Sequence, residues 1–177
     1  MAPAARTALL ALGGVLALWI ASLCPAWAAE AGPSPGEAAS GFSLEDLEGR
    51  VWTLEDLRRD GPVLLDFGSV FCAACQEALR WLEQARQTFG PRGLAVAAVN
   101  IDGAKAVRAV ATVIRSLEVG YPVLLDGDGT VAAAYGVDVI PFLVLVDAGG
   151  TVRAVHRGRA ADLATALDLE TALATGK

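Results

Sequence analysis

The chain has 177 residues, 54% of them hydrophobic, with 14 basic and 20 acidic side chains and a formal net charge of −6. That length suits one domain whose core needs no covalent staples. An acidic chain without a basic stripe argues against nucleic acid and against an anionic membrane surface as partners.

Arg6 precedes an apolar run from Thr7 to Leu23, and Pro25-Ala26-Trp27-Ala28 follows it. One positive charge, an apolar centre and a small-x-small end read as a secretory signal peptide over residues 1–28, cut after Ala28. The run is also just long enough to span a bilayer, so an uncleaved inner-membrane anchor is the alternative. A lipidation site would need a small residue before Cys24, where Leu23 stands. Export, most simply to the periplasm, places the chain where disulfides persist. Cleavage removes Arg6 as the only charged side chain, taking −6 to −7, and leaves Cys72 and Cys75 as the only cysteines. One close pair is not a disulfide scaffold. Residues 29–40, rich in Ala, Gly, Pro and Ser, read as a flexible linker, and residues 41–177 as the domain.

Phe42-Ser43-Leu44 and Val51-Trp52-Thr53 alternate apolar and polar about Glu48-Gly49, as a small hairpin does. Trp52 reads as packing for that hairpin, and Leu54 to Arg59 as a helical turn. Pro62 to Phe67 reads as a buried strand that carries Asp66. A buried carboxyl has a raised pKa, which suits a group that gives and takes protons; a solvated strand end is the bland alternative.

The strand ends in a loop that delivers Cys72 and Cys75 to the start of a helix predicted over Ala73 to Phe89. Ala78, Leu79, Leu82 and Ala85 recur at helical spacing, and Gly90-Pro91 is its expected end. A cysteine at a helix N-terminus has its thiolate stabilised by free N–H groups and the helix dipole. A second cysteine one turn on can close a disulfide with it. Two other uses of the pair have to be weighed. A zinc site needs about four ligands, and only Cys24 and His156 are left to supply them. A structural disulfide over so short a loop constrains little of the unfolded chain. Redox chemistry is the reading these leave.

Leu94 to Ile101 reads as a second buried strand, with Asp102 as N-cap of a helix from Ala104 to Leu117. Pro122 to Leu125 is strand-like. Asp126-Gly127-Asp128-Gly129 resembles the start of a calcium loop, but Val137 stands where its closing Glu belongs, so a turn is expected. Val131 to Tyr135 reads as one or two helical turns. Runs from Gly136 to Asp147 and from Thr151 to Gly158 flank Ala148-Gly149-Gly150 as an antiparallel hairpin. Ala160 to Ala174 closes the chain as an amphipathic helix. Strands alternating with helices imply an α/β fold with a mixed, mostly parallel sheet covered on both faces.

Leu65-Asp66-Phe67, its spacing to Cys72-Ala73-Ala74-Cys75, and Val139-Ile140-Pro141 before a strand together resemble thioredoxin. The N-terminal hairpin, the signal peptide and the extra helix between Asn100 and Tyr121 narrow the likeness to the exported TlpA/ResA/CcmG branch of thiol-disulfide oxidoreductases, over about Phe42 to Leu173. The resemblance implies a thioredoxin fold with a central mixed sheet, an N-terminal β-hairpin and an inserted helix. It implies Cys72 as the attacking thiol, Cys75 as the resolving one, a cis Pro141 against the disulfide, Phe71 and Ile140 at the substrate, and Asp66 as proton relay. It implies no cofactor and no metal. The partners would be a disulfide-containing protein, such as apocytochrome c or a copper-site assembly protein, and a membrane electron donor for re-reduction. Nothing in the sequence specifies an oligomer. The departures are Phe71 where Trp is usual, Gly68 where an aromatic is usual, Ala73-Ala74 where Pro is frequent, and Asp66 where the exported branch often has Asn. That branch also carries a Glu on the active-site helix, and Glu77 is one residue off its place. These bear on potential and substrate rather than on disulfide chemistry. Three other readings stand beside this one: a disulfide-forming oxidase, a non-catalytic thioredoxin-like binding domain, and a copper chaperone using Cys72, Cys75 and His156.

Overall fold

The computed structural model describes residues 32–159 and Leu169. The predicted signal peptide and the closing helix, apart from Leu169, lie outside the described residues. Among the described residues, no helix is long and apolar enough to cross a membrane.

Two strands, β1 (Ser43–Glu45) and β2 (Val51–Thr53), form the predicted hairpin, with Leu44 opposite Trp52. Its turn is held by Asp46, whose carboxylate accepts from the Glu48 and Arg50 amides and from Trp52 Nε1 at 2.7 Å. A bridge from Asp46 to Leu124 ties the hairpin to the main sheet. Helix α1 (Leu54–Leu57) follows at once, capped by Thr53 and Asp56 in a reciprocal capping box.

The main sheet contains β3 (Val63–Gly68), β4 (Ala95–Asn100), β5 (Val123–Leu125), β6 (Phe142–Val146) and β7 (Val152–Arg157), in the order β5-β4-β3-β6-β7. β3, β4 and β5 run parallel; β6 is antiparallel to both β3 and β7. This is the mixed sheet of a thioredoxin fold. Strand parity divides the core in two. Leu64 faces Leu79, Leu82 and Ala85 of α2 (Ala73–Phe89) and Val110 and Ile114 of α3 (Val107–Ser116). Val63, Leu65 and Phe67 face α1 and α4 (Thr130–Ala134) on the other side. Leu169, helical and buried, joins the α2 side.

Two stretches differ from the sequence reading. Residues within the expected linker are tied down: the Gly36 amide donates to Val152 O, the Val152 amide to Glu37 O and the Ala39 amide to Gly150 O, each at 2.8–2.9 Å. Tyr135 Oη donates to Ser40 O at 2.7 Å. Composition reports the absence of a hydrophobic face, but an edge strand with open N–H and C=O groups can hold such a segment through its backbone alone. Helix α2 ends at Phe89 as expected, and Gly90-Pro91 opens a separate 3-10 turn (Gly90–Arg92), because Pro needs no N–H in a first turn. The reversal comes at Gly93, whose φ of +102° favours glycine. Asp102 does not cap α3. A 3-10 turn (Ala104–Ala106) precedes that helix, its N-cap is Ala106, and no side-chain cap bond forms there.

Candidate active site

Strand β3 ends at Gly68, and residues 69–71 lead into α2. Cys72 occupies the α2 N-cap, and its Sγ accepts the Cys75 amide N–H at 3.2 Å. A cap normally uses Ser, Thr, Asp or Asn; here a sulfur takes that place and faces the N-terminus of a 17-residue helix. Cys72 is half-buried and Cys75 is 1% exposed, both as free thiols. Phe71 beside them is 72% exposed. One thiol is therefore open to a partner and the other is reachable mainly from the first.

The Ile140–Pro141 peptide is cis. β6 begins at Phe142, opposite Phe67 of β3, so the next step of the register sets Pro141 across from Gly68, at the cysteine end of the sheet. Pro141 is buried and its carbonyl accepts the Gly158 amide at 2.8 Å, whereas Ile140 is half-buried and Val139 is 44% exposed.

Asp66 lies two residues from Gly68 on the same strand and is 1% exposed. Its Oδ1 has no hydrogen-bond partner among the described residues. A Cβ placed on Gly68 would meet Cys75 Sγ at 3.5 Å and Asp66 Oδ2 at 3.8 Å, so the thiol and the carboxyl face one small space. That space is a cavity of about 10 Å³, lined by Asp66, Gly68, Ser69, Cys75 and Asn100 among others, which is room for about one water molecule. Burial pushes the Asp66 carboxyl up to about 7 and, together with hydrogen bonding to Cys72, pushes the Cys75 thiol up to about 12. A carboxyl that titrates near neutral pH, beside a buried thiol, can accept and return that thiol's proton.

His156 sits on β7 opposite Leu143, with a buried Nε2 that has no partner among the described residues. No three His, Cys, Asp or Glu side chains converge on a metal position among those residues, so the set Cys72, Cys75 and His156 is not brought together. Glu77 is exposed and forms a bidentate pair with Arg159 at 2.9–3.2 Å. Ser69, Asn100 and Asp102, which sequence reading left out of the site, support the cysteine loop. Asp102 sits just past β4, the parallel neighbour of β3, and that position at the same sheet end was the available signal.

Known proteins resemble this chain over most of its described length. The model of the AhpC/TSA family matches residues 35–155. The thiol-disulfide oxidoreductase ResA of Bacillus subtilis is 34% identical over 125 residues, covering 71% of this chain and 68% of that protein. The thioredoxin-like protein YneN of the same organism is 30% identical over 130 residues, covering 73% and 75% respectively. A crystal structure from Chlorobium tepidum assigned as thiol:disulfide interchange protein DsbE superposes with a TM-score of 0.71 at 26% identity, covering 82% of this chain and 99% of that one.

Proposed function

This chain belongs to the AhpC/TSA family, and on that premise we propose that it is an exported thiol-disulfide oxidoreductase that reduces disulfides in partner proteins through Cys72 and Cys75. The observation that carries this is the pairing of a half-exposed Cys72 sulfur, bonded to the Cys75 amide at a helix N-terminus, with a Cys75 that is buried beside Asp66.

The Cys72 thiolate attacks one sulfur of the partner's disulfide, and the other sulfur leaves as a thiolate and takes up a proton. Cys75 then attacks Cys72 in the mixed disulfide as Asp66 takes its proton. The partner's second thiolate leaves, and a Cys72–Cys75 disulfide remains. In this reading the exposed Phe71 ring and the Ile140 backbone meet the partner protein, and Pro141 lies against the disulfide. A membrane electron donor returns two electrons and the cycle restarts. Residues 1–28 serve as the export signal or anchor, and a periplasmic location follows from it. Apocytochrome c and copper-site assembly proteins are the partner classes assigned to it.

The test is reduction of insulin disulfides by the chain lacking residues 1–28, with dithiothreitol as electron source. Activity is expected to vanish in Cys72→Ser. In Cys75→Ser a mixed disulfide with the substrate should persist, because no resolving thiol is present. Failure of the native pair to react, with both thiols intact, would leave a binding domain instead. Equilibration with glutathione decides direction: a potential near about −270 mV suits a reductase, and one near about −120 mV an oxidase.

A further inference from the structure

We propose that Asp102 is a positioning residue for Cys72, acting through Ser69 and Val70 to hold the loop that presents this thiol at the start of α2. The proposal rests on the redox role assigned above to Cys72.

The loop has no β-ladder to fix it, and its tip carries the exposed Phe71 ring. Even so, three consecutive backbone N–H groups are engaged. Val70 N donates to Asp102 Oδ2 at 2.8 Å, Phe71 N to Ser69 Oγ at 3.1 Å, and Cys72 N to Ser69 O at 3.2 Å. The Ser69 hydroxyl joins the two halves of this set, since it accepts from Phe71 and donates to Asp102 Oδ1. Asp102 is itself held by Asn100: Asn100 Nδ2 donates to Asp102 Oδ2 at 2.6 Å, and the Asp102 amide donates to Asn100 Oδ1 at 3.2 Å. Asn100 closes β4 opposite Gly68, the last residue of β3. A rigid parallel strand pair is thus linked, side chain by side chain, to the cysteine loop.

Residue type supports the assignment. Three donors meet on the two oxygens of Asp102, and only a carboxylate accepts at every position while donating at none. Such charge-assisted bonds are stronger than neutral ones. Yet a negative charge near a thiol opposes its ionisation. If charge governed the loop, removing Asp102 would quicken Cys72 alkylation, and if geometry governs it, removal slows alkylation, so the two are separable. Among the described residues, Cys75 and Asp66 are the titratable groups that line the cavity adjoining the loop, together with Ser69.

The experiment is the rate of Cys72 alkylation by iodoacetamide from pH 5 to 10, followed by mass spectrometry, in the wild type, Ser69→Ala, Ser69→Thr, Asp102→Ala and the double variant, with thermal melts alongside. Ser69→Ala and Asp102→Ala are expected to slow alkylation at pH 7 by about three- to tenfold, the scale of one or two lost hydrogen bonds, and to move the pH midpoint upward. Ser69→Thr restores the hydroxyl and the wild-type profile, and the double variant is no slower than Asp102→Ala. Faster alkylation in Asp102→Ala would mean that its charge governs Cys72, and overturns the proposal. So would unchanged midpoints with lowered melting temperatures, the mark of a merely structural network. If Asp102→Ala does not fold, the Ser69→Ala and Ser69→Thr pair decides. A wild type with the expected alkylation profile but no insulin reduction would overturn the proposed function and leave the positioning role standing.

Discussion

Replacing Asp66 by Asn separates the cost of burying a carboxyl from every other electrostatic contribution in the protein. Asp66 is 1% exposed, and burial raises it from 3.8 to about 7. In the unfolded chain it titrates near its ordinary value. Below about pH 4 the carboxyl is protonated in both states, and its contribution to stability is fully present. Between there and pH 7 the unfolded chain releases a proton that the folded chain keeps, so stability falls by about 1.4 kcal/mol per pH unit. Above pH 7 the loss is complete. The shift of about three units corresponds to about 4 kcal/mol, an upper value because a water in the cavity softens the penalty. Asn has the shape of the neutral acid and cannot ionise. Asp66→Asn is therefore expected to exceed the wild type by about 2–4 kcal/mol at pH 8, with the gap closing toward pH 4. Urea titrations at each pH, with a phosphine reductant to keep the dithiol form, read this as a shift in midpoint at constant slope. The same variant should release reduced partner more slowly, since Cys75 loses its proton acceptor. A stability gap that does not change with pH, or one that widens toward acid, would refute the reasoning.

The remaining predictions concern the scaffold. Glu83 accepts from Arg86 at 2.6 Å and from the Gly120 amide at 2.9 Å, and the Arg86 bonds hold its carboxyl down at about 2. Because the folded value is depressed, its contribution is present above about pH 4.5 and lost as pH falls through 2. Thermal melts of Glu83→Gln should show a deficit of about 1–2 kcal/mol at pH 7 that fades toward pH 2; an equal deficit at both ends would contradict the pairing. Tyr135→Phe removes the donor to Ser40 O and is expected to cost about 1 kcal/mol. Hydrogen exchange at the Gly36 and Ala39 amides should quicken with it, and unchanged protection would mean that the N-terminal segment is held without Tyr135. Leu82→Ala, at a fully buried position of α2, should cost about 2–5 kcal/mol in urea unfolding, and a loss below about 1 kcal/mol would be incompatible with this helix packing.

Legibility in the sequence follows the range of the interaction. The span of α2 was readable from Ala73 to Phe89 because its signals are local: Ala78, Leu79, Leu82 and Ala85 at helical spacing, with Gly90-Pro91 after them. The runs that became β3 and β4 were readable because a strand buried on both faces must be apolar almost throughout. Pro141 owed its cis reading to family likeness, since the sequence alone carries no signal for it. What escaped depends on partners distant in the chain. Residues 36–40 carry no apolar pattern, and their order comes from the backbone of Gly150 and Val152. Asp102 followed by Gly103 and Ala104 satisfies the local rule for a helix cap, but Ser69 and Val70, more than thirty residues earlier, compete for the same oxygens and win. A cap bond is one neutral-to-charged contact at a solvated helix end, whereas the loop offers a hydroxyl and a backbone amide together.

The two aspartates around the cysteine loop show how one residue type is divided by its donors. Asp102 stands where a hydroxyl, a backbone amide and a side-chain amide converge, and its oxygens are engaged by them. Asp66 stands on the neighbouring strand, its Oδ1 without a partner among the described residues, beside the small space it shares with Cys75. Donors fix a carboxylate in place, which suits a support. Their absence leaves a carboxyl whose proton is held by desolvation alone, and such a proton can be traded. Gly68 connects the two, because its missing side chain leaves the space into which Asp66 and Cys75 both face, and its partner Asn100 is the residue that anchors Asp102. A larger residue at 68 would press on the Cys75 Cβ at 3.3 Å. The glycine therefore belongs to the same device as the two acids: it admits the proton-exchanging carboxyl to Cys75 while the strand end that carries it stays fixed to the support beneath Cys72.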